Sequence, residues 1–146
     1  CGTAIYPLLK NGIKPDCHIE IERTYATYSA LKGLNMDDEL AEIDFVGLNT
    51  VPPEVFELFR KGYFAIKSND AGKDLIHKYI SNEEYPEVQR CNPTCTNFGV
   101  ELMLELGFND VYLFGLDFGW LDGEHHHSKS SKYYDEYLCC IYIFHR

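Results

Sequence analysis

Between residues 17 and 22 apolar and polar positions alternate, with Ile19 and Ile21 set against His18, Glu20 and Glu22, which is the period of a β-strand. Ahead of it, residues 5–10 read as a short helix closed by a left-handed cap at Asn11-Gly12, and Pro15-Asp16 turns the chain into the strand. The spacing predicts a helix over 24–34. The same order then recurs: a strand over 43–48, a helix over 52–61 opened by prolines, a strand over 63–66 and a helix over 70–80.

A polar stretch over 81–86 and a short segment over 88–91 lead through Asn92-Pro93-Thr94-Cys95-Thr96-Asn97 into a helix ending at Gly107. Glu101 and Glu105 form the one charged stripe of this helix, and Phe98, Leu102, Met103 and Leu106 cover the rest, so it is expected to be deeply packed. The continuous apolar run over 111–116 predicts a central parallel strand, covered on both faces, that stops at Asp117. Residues 119–132 are polar and contain the triplet His125-His126-His127; a helix is expected over 133–138, and 139–144 is strand-like with no assigned place.

Strand alternating with helix implies an α/β fold, a Rossmann-like, mostly parallel sheet with helices on both faces. No repeat or linker divides the chain, so a single domain over 1–146 is expected. Such a domain normally begins with a strand feeding its first loop. Here the loop comes first, so the amino-terminal strand is expected to be missing and the chain to be a fragment of a longer protein.

With 45% hydrophobic and 14% aromatic residues among 146, the chain can bury the core of one globular domain. It has neither an apolar run of membrane-spanning length nor a basic-then-apolar leader, which reads as soluble and cytoplasmic. A formal charge of −10 disfavours nucleic acid as a partner, because phosphate backbones call for a basic surface. The six cysteines include the adjacent pair Cys139-Cys140, which does not suit a disulfide framework, so reduced thiols are expected.

In open α/β sheets ligands lie beyond the carboxyl ends of the strands, where loops converge and helix amino ends present free N–H groups. That rule selects Gly2 and Thr3, Glu20 and Glu22, Asn49 and Thr50, Ser68, Asn69 and Asp70, Asn92 with Thr94, Cys95 and Thr96, and Asp117. Their small, hydroxylic, amide or acidic side chains suit sugar hydroxyls, ribose and base edges. The same residue types also serve as helix caps and turns, and both readings stay open. The face shared by His18, Glu20 and Glu22 is either solvated or the wall of a site.

In the histidine triplet an imidazole can take a proton from an acceptor hydroxyl, with Asp122, Glu124 or Asp135 to orient it; an exposed loop and a metal site are the alternatives. Three consecutive histidines cannot all face one metal from a regular element, and Cys91 and Cys95 lack zinc spacing, so no metal site is assigned. Phe118, Trp120, Tyr133 and Tyr134 either stack a base and contact phosphate or cover the end of the core.

Taken in order, Gly2-Thr3-Ala4 with Gly12-Ile13-Lys14-Pro15-Asp16, then residues 92–97, then Gly115-Leu116-Asp117-Phe118-Gly119 resemble the Maf (motility accessory factor) family of bacterial proteins. The resemblance extends to about Tyr134. It implies transfer of a nonulosonic acid from a CMP-linked donor to serine or threonine of flagellin, with the CMP-sugar as co-substrate and no other cofactor.

That family is similar in turn to bacterial sialyltransferases, and the similarity implies donor contacts from Thr94, Cys95 and Thr96, with a cysteine where those enzymes carry serine. It also implies a Gly-x-Asp-Phe motif at Gly115, Asp117 and Phe118, with Gly119 in place of their tyrosine and Tyr133 or Tyr134 to supply the lost phosphate contact. The catalytic base is expected at His127, followed by Ser128-Lys129 as in those enzymes, with His126 as the fallback. Two other readings stand beside it. One is a Mg²⁺-dependent pyrophosphokinase acting on 6-hydroxymethylpterin, an activity whose archaeal enzymes share a similar domain, with Glu20, Glu22 or Asp117 holding the metal. The other is a non-catalytic domain that binds flagellin or a nucleotide.

Overall fold

The computed structural model describes residues 2–116. A 3₁₀ turn over Gly2–Ala4 runs directly into α1 (Ile5–Lys10), and β1 (Cys17–Glu20) follows. Helices α2 (Ala26–Lys32) and α3 (Asp37–Leu40) lead to β2 (Asp44–Leu48), and α4 (Pro53–Phe56) to β3 (Lys61–Lys67). Then come α5 (Ala71–Tyr79), the short β4 (Glu87–Val88) and α6 (Cys95–Glu105). The strands form one parallel sheet in the order β1-β2-β3-β4, with Phe45 opposite His18 and Gly62. The fold is α/β and Rossmann-like, with helices on both faces. Among the described residues no helix is long and apolar enough to cross a membrane.

Strand periodicity sends alternate residues to opposite faces, and each face carries its own core. On one face Phe45 packs with Ile5 of α1, Leu31 of α2, Leu40 of α3 and Val55 of α4. On the other, Ile19, Leu48, Ala65 and Val88 pack beneath Phe98 and Leu102 of α6. Gly47 and Gly62 allow Phe56 to descend onto the sheet, since a Cβ built on either comes within about 3 Å of its ring.

Several element ends differ from the periodicity. The alternation over 17–22 is strand only to Glu20, whose carboxylate accepts the N–H groups of Ile21 (2.9 Å) and Glu22 (3.2 Å) and so ends the ladder. The helix over 52–61 stops at Phe56 because Phe59 stacks on Phe45 (4.8 Å between centroids) and Arg60 N donates to Ile43 O (2.9 Å), drawing the chain into β3. The stripe on α6 is also rearranged: Glu101 turns inward beside Phe98 and Leu102, where it accepts from Arg90, while Leu104 and Leu106 are exposed.

Residues 111–116 are not a strand. They run irregularly, with Tyr112 81% and Phe114 88% exposed. An apolar run becomes a strand only where neighbours supply its ladder and cover its faces, and no described strand pairs with this one.

Candidate functional site

The carboxyl end of β1 opens into a cleft of about 480 Å³ whose walls include Gly2, Thr3, Glu20, Glu22, Thr94 and Cys95. Three elements distant in sequence meet there. The turn before α1 brings Gly2 and Thr3, β1 ends at Glu20, and α6 contributes its first residues. Gly2 has φ +51°, a left-handed conformation that glycine adopts without the Cβ penalty. A Cβ built on Gly2 would lie 4.0 Å from Glu20 Oε2, which places this turn beside the end of β1.

Thr94 begins α6 with a capping box. Its hydroxyl oxygen accepts from Asn97 N (3.3 Å), and Asn97 Oδ1 accepts from Thr94 N (3.2 Å). The cap leaves other amino-terminal N–H groups of α6 without helical partners, at the positive end of the helix dipole. Cys95 Sγ donates to Ile19 O (3.0 Å), which fastens the start of α6 to β1. Burial, with the charge of Glu20 beside it, pushes this thiol up to about 12, so it stays protonated and acts as a donor rather than a nucleophile.

Glu20 is 9% exposed, and burial raises its carboxyl above the usual range while the two N–H groups on Oε1 pull the other way. Among the described residues Oε2 has no hydrogen-bond partner. Glu22, by contrast, is exposed and accepts from Arg23 N (2.8 Å) and Thr24 N (3.1 Å). His18, on the same strand face, is enclosed by Phe45 and Phe59, so the polar face is buried at His18 and Glu20 and exposed at Glu22.

The remaining candidates are placed elsewhere. Asn49, Ser68 and Asn69 lie at the carboxyl ends of β2 and β3, outside the lining of this cleft. Asn49 Oδ1 accepts Lys67 N (2.9 Å), Ser68 is buried, Asn69 takes φ +56°, and Asp70 caps α5 through Gly72 N (2.8 Å). Thr96 points to a separate hollow of about 410 Å³ with Arg90, Leu113 and Leu116. Asp117, His126, His127, Tyr133 and Tyr134 lie outside the described residues.

A third hollow, about 320 Å³, sits between α5 and β4 around Lys73 and Glu87, away from the carboxyl edge of β1. Tyr6 and Thr24 line the main cleft without having been singled out from the sequence. The only signal for Thr24 was its place between a strand exit and a helix.

Comparison with known proteins adds to this geometry. The family model described as "6-hydroxymethylpterin diphosphokinase MptE-like" matches residues 1–123. Among solved structures, the Maf glycosyltransferase from Magnetospirillum magneticum AMB-1 is similar with a TM-score of 0.71 and 34% sequence identity, over 82% of this chain and 18% of that one. The chain therefore corresponds to a small part of that protein's length. No curated protein matches it. By its sequence the chain belongs to the MptE-like family, and in sequence and fold it is related to part of a Maf protein.

Proposed function

We propose that the cleft at the end of β1 holds the nucleotide-linked donor of a glycosyltransferase that moves a nonulosonic acid from CMP to serine or threonine of flagellin in the cytoplasm. The observation that carries this reading is the convergence of Gly2-Thr3 and Thr94-Cys95 on one cleft, in a domain 34% identical to part of a Maf glycosyltransferase. Free N–H groups at the start of α6 suit the phosphate of the donor. In the reaction, His127 removes the proton of the acceptor hydroxyl. The oxygen then bonds to the anomeric carbon as the bond from that carbon to the CMP phosphate breaks, and CMP leaves with the electron pair. A tyrosine from Tyr133 and Tyr134, with Lys129, stabilises the departing phosphate. A base of this kind contributes about 10²–10⁴-fold in rate, and with a single phosphate departing the step needs no metal.

A second reading, Mg²⁺-dependent diphosphate transfer to 6-hydroxymethylpterin, is favoured by the description of the matching family model. Glu20 and Glu22 both line the cleft and would hold the ion there, although among the described residues no three His, Cys, Asp or Glu side chains gather in a metal-holding group.

Isothermal titration with CMP and with ATP, each with and without Mg²⁺, separates the two. CMP binding without metal supports the glycosyltransferase, and binding of ATP only with Mg²⁺ supports the kinase. Absence of both from this chain and from a longer form of the protein points to a non-catalytic domain. In the transfer assay, His127→Ala abolishes sugar transfer and leaves CMP binding intact; unchanged transfer would remove His127 from its role.

A further inference from the structure

Glu20 as a residue is 9% exposed, and only one of its carboxyl oxygens is occupied. Oε1 accepts from Ile21 N and Glu22 N, whereas Oε2 stands at the cleft with no partner among the described residues. Oε2 opens on the cleft and is free to accept from a ligand that brings a donor. An ionised carboxylate only accepts, so the matching ligand group is a hydroxyl or an amine and not a phosphate oxygen.

Two features of the cleft identify that group. The start of α6, with N–H groups that lack helical partners, suits an anion. Oε2 also lies beside the Gly2 turn, which leads through α1 into the strand that ends at Glu20. In nucleotide-binding α/β folds, a glycine turn approaches the phosphate, and an acidic residue about 20 positions on, at the end of the next strand, accepts from a ribose hydroxyl. The ribose is also the unit bonded directly to the phosphate, one sugar away from the helix terminus.

We infer that Glu20 is the residue that reads the sugar of the nucleotide, its Oε2 accepting a hydrogen bond from the ribose 2′-hydroxyl, so that this cleft selects ribonucleotides over deoxyribonucleotides. The inference rests on the cleft being the CMP-donor site of the proposed transferase; in the diphosphate-transfer reading Glu20 would hold Mg²⁺ instead. Glu22 does not share the role, because it is exposed and its carboxylate serves the turn into α2.

The test is isothermal titration of the unaltered chain with CMP against 2′-deoxy-CMP, repeated with Glu20→Gln. Loss of one charge-assisted hydrogen bond weakens deoxynucleotide binding about ten-fold. In Glu20→Gln the amide oxygen must accept the two backbone N–H groups, which turns a neutral NH₂ toward the sugar. The ribo-to-deoxyribo preference then shrinks to a few-fold while the circular dichroism of the fold is kept.

A residue that merely ended the strand would leave that ratio unmoved. Equal binding of CMP and 2′-deoxy-CMP by the unaltered chain overturns the role of Glu20 while leaving the cleft a nucleotide site. Binding of neither nucleotide overturns both. Because the ribo-to-deoxyribo comparison needs no substitution, a Glu20→Gln chain that failed to fold would not shield the inference from refutation.

Discussion

His18 offers a quantitative check on the interior. It is 1% exposed, its ring stacks on Phe45 (5.9 Å) and Phe59 (5.4 Å), and Nε2 has no hydrogen-bond partner among the described residues. Burial lowers its pKa from 6.5 to about 3. The folded protein therefore keeps the imidazole neutral, whereas the unfolded chain takes up a proton as the pH falls through 6.5. Between those two values the unfolded state binds more protons, so stability declines as the pH falls; well above 6.5 the residue contributes no slope. With these two pKa values, acidification from about pH 7 to about pH 5 removes about 2 kcal/mol of stability through this one group.

His18→Phe keeps an aromatic ring between Phe45 and Phe59 and abolishes the titration. Its larger ring carries an overpacking cost of about 1–3 kcal/mol, but that cost does not depend on pH. Urea unfolding of both proteins at the two pH values, followed by far-ultraviolet circular dichroism, gives a double difference from which packing and all shared titrations cancel. The wild type should lose about 2 kcal/mol more than His18→Phe. Equal losses, within about 0.5 kcal/mol, would refute the claim that the imidazole is locked neutral.

Other substitutions probe the packing of the sheet and the anchoring of α6. Gly47→Ala places a methyl 2.9 Å from Phe45 Cε1 and 3.0 Å from Phe56 Cζ, on two rings locked edge to face at 4.8 Å, and should cost about 1–3 kcal/mol in urea unfolding. Arg90→Ala strips the cation from a nearly buried Glu101 and should lower the urea midpoint; adding Glu101→Leu, which removes the stranded carboxylate, should restore it. Thr94→Ala removes the α6 cap and should cost about 1 kcal/mol by the same assay, whereas Thr94→Ser, which keeps the capping oxygen, should change little.

Where local pattern and tertiary packing agree, the fold was legible in the chain. Residues 43–48 carry apolar side chains on both faces, and Phe45 and Leu48 of β2 are covered from opposite sides of the sheet. The pattern misled where tertiary contacts overrode it. Val55, Phe56, Leu58 and Phe59 have helical spacing, yet Phe59 contributes more by stacking on Phe45 than by extending α4. α3 went unread because DDEL offers a single apolar residue, Leu40, and only the enclosed position of that side chain gives the turn a reason to form. Alternation around His18 left open whether its polar face is solvated or the wall of a site. In a parallel sheet packed on both faces, polar residues can lie under cover, and the period of two does not distinguish the cases.

The site was legible as an edge but not as a place on that edge. The carboxyl-end rule selected Gly2, Thr3, Glu20, Thr94 and Cys95, which converge, together with Asn49, Ser68 and Asn69, which lie further along the sheet. What separates the two groups is the path of the chain. Successive strands step steadily from β1 to β4, but α6, which follows β4, returns across the sheet so that Cys95 reaches the carbonyl of Ile19. α1 covers the opposite face, and the crevice forms at the one strand end that both helices flank. Strand and helix periodicity carries no information about how far a crossover helix reaches back over the sheet. That reach is set by the burial of Phe98 and Leu102 against Ile19 and Leu48, so the same contacts that complete the second core also place the amino end of α6 opposite Glu20.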